Sequence, residues 1–157
     1  MTSKDFTTVR HFSAGEFEHI GGYQLIDVDV VHLADRIRHA YGRPLIITSA
    51  YREPEKNTDT LGAAKSQHMF GMALDLKPVR LDRAYYGGLV MAAMRHWCAG
   101  FGVYDDGHIH IDVRPTIVGA RWISIEGTQY AWSYHNLGQA IDHAIGSREP
   151  LGDGRMT

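Results

Sequence analysis

The residues best able to do chemistry fall in two short stretches. One is Ser66-Gln67-His68-Met69-Phe70-Gly71-Met72-Ala73-Leu74-Asp75 and the other is Gly107-His108-Ile109-His110-Ile111-Asp112. In the second, every other residue is polar and able to bind or orient a cation. An extended strand puts His108, His110 and Asp112 on one face and Ile109 and Ile111 on the other. In the first, His68 precedes an alternating apolar run that ends in Asp75, which predicts a loop histidine followed by a strand carrying a carboxylate into the same cleft. Two imidazoles and one carboxylate leave the fourth tetrahedral position vacant, the feature that separates a catalytic zinc from a structural one. In a chain with ten histidines, an i, i+2 pair arises readily by chance, and the spacing permits either His108 or His110 as the ligand. The argument rests on the two stretches together. The same donor set also suits the facial triad of a copper or iron oxygenase.

The surrounding chain must supply the elements that bring these groups together. Val30, Leu33, Ala34, Ile37 and Ala40 recur at helical spacing after a cap at Asp27 or Asp29, and Tyr41-Gly42-Arg43-Pro44 ends that helix. A weaker element opens with the capping-box pair Ser13 and Glu16, with Phe17 and Ile20 facing inward. Leu45-Ile46-Ile47-Thr48-Ser49 reads as a central strand, whose end delivers Tyr51 and Arg52. From Glu53 to Ser66 the chain is polar and aperiodic, a long loop over the site. Leu81 to Trp97 reads as a second main helix. Gly100–Tyr104 and His108–Val113 form a hairpin across Asp105-Asp106-Gly107, the Asp-Gly pair being a hairpin signal. Arg121–Ile125 and Gln129–Tyr134 form another, followed by a last helix capped at Asn136. His32 and His39, two turns apart without a matching carboxylate, read as surface or packing residues.

These motifs, with Ser49-Ala50-Tyr51-Arg52 ahead of them, resemble the zinc D-alanyl-D-alanine metallopeptidases. That family includes phage L-alanyl-D-glutamate endolysins and shares an active-site plan with lysostaphin-type peptidases and the hedgehog signalling domain. The family pattern runs from a strand ending in Ser-Gly-Tyr-Arg, through Ser-x-His with an aspartate seven residues later, to His-x-His. Order and spacing match from about Phe12 to Pro115. The resemblance implies a small α+β fold, an antiparallel sheet with helices packed on one side, and one Zn2+ held by His68, Asp75 and His110. It gives Arg52 a role in substrate binding and transition-state stabilisation, and His108 a hydrogen bond to the transition state. Tyr51 and Ser66 are candidate substrate contacts, Ser66 being as well suited to a plain turn. Zinc lowers the pKa of bound water to about 7 and polarises a carbonyl, so no serine or cysteine nucleophile is required.

A general base is required, and here the chain departs from the family. The acidic residue expected three places before the ligand histidine is replaced by Gly107. Asp105 and Asp106 can reach in or simply form the turn. A shifted register, with His108 as ligand and Asp105 as base, restores the acidic spacing. Asp112 suits a partner that orients a histidine.

The composition, 44% hydrophobic and 22% charged over 157 residues, is that of one globular domain. Within it the reading places a core at about 12–115, a C-terminal hairpin and helix at 119–146, and a flexible tail at 147–157. A formal net charge of −2 gives no electrostatic footprint for nucleic acid or an anionic membrane. Cys98 has no internal disulfide partner. The first residues lack the apolar core of a signal peptide. The expected function is hydrolysis of stem peptides or cross-links in bacterial peptidoglycan by a phage lysin or virion-associated enzyme. It would be made in the cytoplasm, act on the cell wall and have other virion proteins as further partners. The rival is a zinc-binding module that has lost its base and serves in phage assembly or wall binding.

Overall fold

The computed structural model describes residues 8–20, 25–51 and 66–146. Arg52, the loop from Glu53 to Lys65 and the tail from 147 to 157 lie outside the described residues. Three helices, α1 (Val28–Tyr41), α2 (Arg83–Met94) and α3 (Tyr134–Ala144), accompany six strands. The strands are β1 (Leu45–Ser49), β2 (Ala73–Pro78), β3 (Gly100–Tyr104), β4 (Ile109–Asp112), β5 (Ala120–Ile125) and β6 (Thr128–Tyr130). They form one sheet in the order β1-β2-β4-β3-β5-β6, so the fold is α+β and mostly antiparallel.

Strand periodicity divides the sheet's two faces. Leu74, Leu76, Phe101, Val103, Ile109, Ile111, Ile123 and Ile125 are all buried in the core, clustered with Val30, Leu33 and Ile37 of α1, Tyr86 and Leu89 of α2 and Leu137 of α3. The opposite face carries the residues between them. Register then sets a row across four strands, since Asp75 pairs with His110, His110 with Gly102 and Gly102 with Trp122.

Three details differ from the expectations. β1 is an edge strand among the described residues, because it alternates instead of being buried on both sides and leaves Ile46 46% exposed. β5 runs parallel to β3, since the irregular return from the end of β4 starts β5 with Ala120 beside Gly100. The last helix begins earlier, because the Ser133 side chain caps it by accepting from Asn136 N–H at 3.0 Å; Asn136 instead donates to the Ala131 carbonyl at 2.7 Å. Asp27 caps α1 through the N–H of Asp29 at 2.8 Å, and Asp82 caps α2 through that of Tyr85, so α2 starts after Leu81.

Tyr86 of α2 pins the β3–β4 hairpin from below. Its buried hydroxyl lies 2.6 Å from the carbonyl oxygens of both Tyr104 and His108 and accepts from Tyr104 N–H at 3.2 Å. Burial, the largest influence, pushes its ionisation upward, so the hydroxyl stays a donor. Tyr86→Phe leaves these groups only their backbone partners, Tyr104 N–H with the His108 carbonyl and Gly107 N–H with the Tyr104 carbonyl, and should cost about 0.5–1.5 kcal/mol of unfolding free energy, read from the midpoint of chemical denaturation at unchanged slope.

Candidate metal centre

Asp75 and His110 face each other across the β2–β4 ladder, while His68 comes from a single 3-10 turn, Gln67–Phe70. Ser66 builds that turn, its Oγ accepting the His68 N–H at 3.3 Å. Gly71 ends it in the left-handed region at φ 69, where any Cβ would lie 1.9 Å from the Leu25 carbonyl oxygen. The Gly71 carbonyl in turn accepts from Asp27 N–H at 2.8 Å, which ties the histidine turn to the start of α1.

Each imidazole has one nitrogen fixed and the other aimed inward. His68 donates Nδ1–H to the Ala50 carbonyl at 2.7 Å and points Nε2 at Asp75 Oδ1, 3.1 Å away. His110 donates Nε2–H to Asp112 Oδ2 at 2.7 Å and points Nδ1 at the same Asp75 oxygen, 3.2 Å away. The rings meet edge to face at 5.1 Å, and one ligand atom from each of the three residues lies within 4.8 Å of the others. In these tautomers two nitrogen lone pairs converge on a carboxylate oxygen in a buried place, an arrangement that repels unless a cation sits among them. Two nitrogens and an oxygen are the donor set that zinc takes.

Asp112 is fully buried and held by Arg114, whose Nε and Nη2 donate at 2.9 and 2.6 Å. A Cβ on Gly100 would lie 2.0 Å from its Oδ2, so the carboxylate needs that glycine opposite. Burial acts to raise the Asp112 pKa, but the hydrogen bonds from Arg114 and His110 outweigh it and keep the group ionised. At Asp75, burial is again opposed, by the charge of His68 and hydrogen bonds with His110 and His68, and the carboxyl stays well below its usual range. At His110, burial acts to lower the pKa, but hydrogen bonds to Asp112 and Asp75 raise it on balance.

The remaining expected site residues separate. His108 stands at the rim, its Nε2 3.9 Å from Asp75 Oδ2. Its Nδ1 lies 2.5 Å from Asp106 Oδ1, its backbone N–H reaches the same oxygen, and its ring stacks on Tyr104 at 4.1 Å. Asp105 turns the other way: its carboxylate accepts from Glu126 N–H at 2.9 Å and lies 3.9 Å from His143. That removes the geometric basis for Asp105 as base and for the shifted register. Gly107 has φ 94, a left-handed conformation that strains any residue with a side chain, so the turn geometry disfavours an acid where the family places one. Ser66 serves the turn, and Tyr51 packs against the core, partly buried. Arg52 is outside the described residues.

A family model for peptidase M15 matches residues 8–112. The chain belongs to the peptidase M15 family. M15 peptidases are metallopeptidases that use zinc, and among the described residues His68, Asp75 and His110 could hold it. Comparison with curated proteins finds no match. Among the described residues, no helix is long and apolar enough to cross a membrane.

Sequence reasoning missed two residues of this M15 site, Arg114 behind Asp112 and Trp122, whose ring lies 5.0 Å from that of His110. The glycines at 100 and 102, alternating on one face of β3, were the available signal for bulky neighbours.

Asp112→Asn keeps the shape but loses the charge that fixes His110, and should weaken zinc binding about 10–100-fold, as measured by competition with a chromogenic chelator. The sign for pH follows from His110. A folded-state pKa above 6.5 gives the metal-free protein a stabilising contribution that is complete below pH 6.5 and lost as pH rises through the folded value. Zinc requires the deprotonated ring, so the melting-temperature gap between zinc-loaded and stripped protein should widen as pH rises above 6.5.

Proposed function

We propose that this M15 metallopeptidase hydrolyses a peptide bond in the stem peptides or cross-links of bacterial peptidoglycan. The observation that carries the reading is the convergence of His68, Asp75 and His110 on one small volume in a chain that matches the family over its first two motifs and the His-x-His strand. When bound, zinc supplies a Lewis acid and an activated water. The chain's own residues then divide the remaining work.

His68, Asp75 and His110 hold the cation, with Ala50 and Asp112 fixing which nitrogen each ring presents. His108 handles the proton. Because Asp106 lies at Nδ1, the opposite nitrogen faces the ligand group. There it takes a proton from the attacking water and returns it to the leaving nitrogen. An imidazole oriented by a carboxylate thus stands in for the acid that Gly107 cannot supply. Arg52, from its position in the motif, binds the substrate carboxylate or carbonyl. The resemblance to phage endolysins extends this reading to a lysin or virion-associated enzyme that acts on the wall.

Gly107 also sustains the second reading, a zinc-binding module without turnover. Turbidity clearing of purified sacculi discriminates the two. The enzyme reading predicts clearing that is abolished by chelation, restored by zinc and absent in His68→Ala. Asp106→Asn should slow it by about tenfold or more with zinc content intact. One equivalent of bound zinc with no release of muropeptides would establish the module instead.

A further inference from the structure

Trp122 comes from β5, beyond the segment matched by the family model, yet its side chain reaches the metal centre. Parallel pairing sets it opposite Gly102, and Gly102 in turn opposite His110. The indole crosses the intervening strand only because that residue is glycine: a Cβ on Gly102 would lie 2.4 Å from Trp122 Cε2 and Nε1. On the far side the ring comes within 5.0 Å of His110. Its Nε1–H donates to the Tyr104 hydroxyl at 2.8 Å, and the Tyr104 ring stacks on His108 with planes 18° apart. The Arg114 guanidinium lies 5.7 Å from the indole ring, so both histidine supports meet on one aromatic side chain.

We infer that Trp122 is a positioning residue for His108, acting through its hydrogen bond to Tyr104 and the stacked Tyr104 ring. A hydrogen bond to the Tyr104 hydroxyl stops that ring from swinging, and the fixed ring removes one of the two directions in which the His108 imidazole can tip. Asp106 restrains the ring within its plane; the Tyr104 face restrains it out of plane. Burial of the indole alone would require none of these partners. The assignment rests on the proposed role of His108 for its catalytic consequence, but the mechanical coupling from Trp122 to His108 does not depend on turnover.

The test uses the zinc-loaded full chain and two variants that preserve ring bulk, Trp122→Phe and Tyr104→Phe, with the double variant. Histidine-edited NMR reads the His108 ring protons, which the stacked Tyr104 ring shifts upfield. Trp122→Phe should move the His108 signals toward unstacked values while those of His68 stay in place. Tyr104→Phe, which keeps the ring but removes the hydroxyl, should give the same change, and the double variant should add nothing further. Unmoved His108 signals in Trp122→Phe, or shifts in the double variant equal to the sum of the singles, overturn the inference. On sacculi, both single variants should lose about tenfold in maximal rate at unchanged half-saturation and zinc affinity. Wild-type protein that fails to clear sacculi sinks the peptidoglycan reading while the NMR comparison still decides the coupling.

Discussion

One carboxylate oxygen governs the site. Asp75 Oδ1 receives the inward nitrogens of two imidazoles at 3.1 and 3.2 Å, and while the rings are neutral neither can turn a proton toward it without giving up a bond to Ala50 or Asp112, so the missing positive charge comes from a cation or from protonation of a ring. Such a cluster is stable when a cation supplies the missing positive charge and strained when nothing does. The rest of the architecture follows from keeping that cluster in place. The β2–β4 ladder sets Asp75 against His110. The turn capped by Ser66 and closed by Gly71 brings His68 over from a different element.

Room for the supporting groups is made by glycine. Gly100 leaves space for the Asp112 carboxylate and Gly102 for the Trp122 indole, so β3, which contributes no ligand, decides how His110 and the neighbouring His108 are braced. The helix side of the sheet provides the rigidity. Tyr86 fixes the backbone on either side of the Asp105–Gly107 turn, and Asp105 fastens the same turn to the β5–β6 connection. Of two adjacent aspartates in one turn, one therefore fastens the turn to the β5–β6 connection and the other contacts the His108 ring.

Much of this was legible in the sequence because strand periodicity is local. The facing of His108, His110 and Asp112, the hairpin at Asp105-Asp106-Gly107, the cap at Asp27 and the spacing from His68 to Asp75 are all short-range patterns. What the sequence withheld depends on pairing between distant segments. The parallel alignment of β5 with β3, the edge position of β1 and the reach of Trp122 to His110 follow from register, which no local pattern encodes. Asp105 and Asp106 could not be told apart for the same reason: their roles differ only through partners at 108 and 126. Ser66 was ambiguous between turn and substrate, and the geometry gives its hydroxyl to the turn.

Zinc stoichiometry across four single variants tests the central claim most directly. By elemental analysis after dialysis against metal-free buffer, the wild-type chain and His108→Ala should each retain one zinc per chain, and His68→Ala, Asp75→Ala and His110→Ala should retain essentially none. Zinc held at full occupancy after loss of any of those three side chains, or lost with His108 alone, would contradict the account.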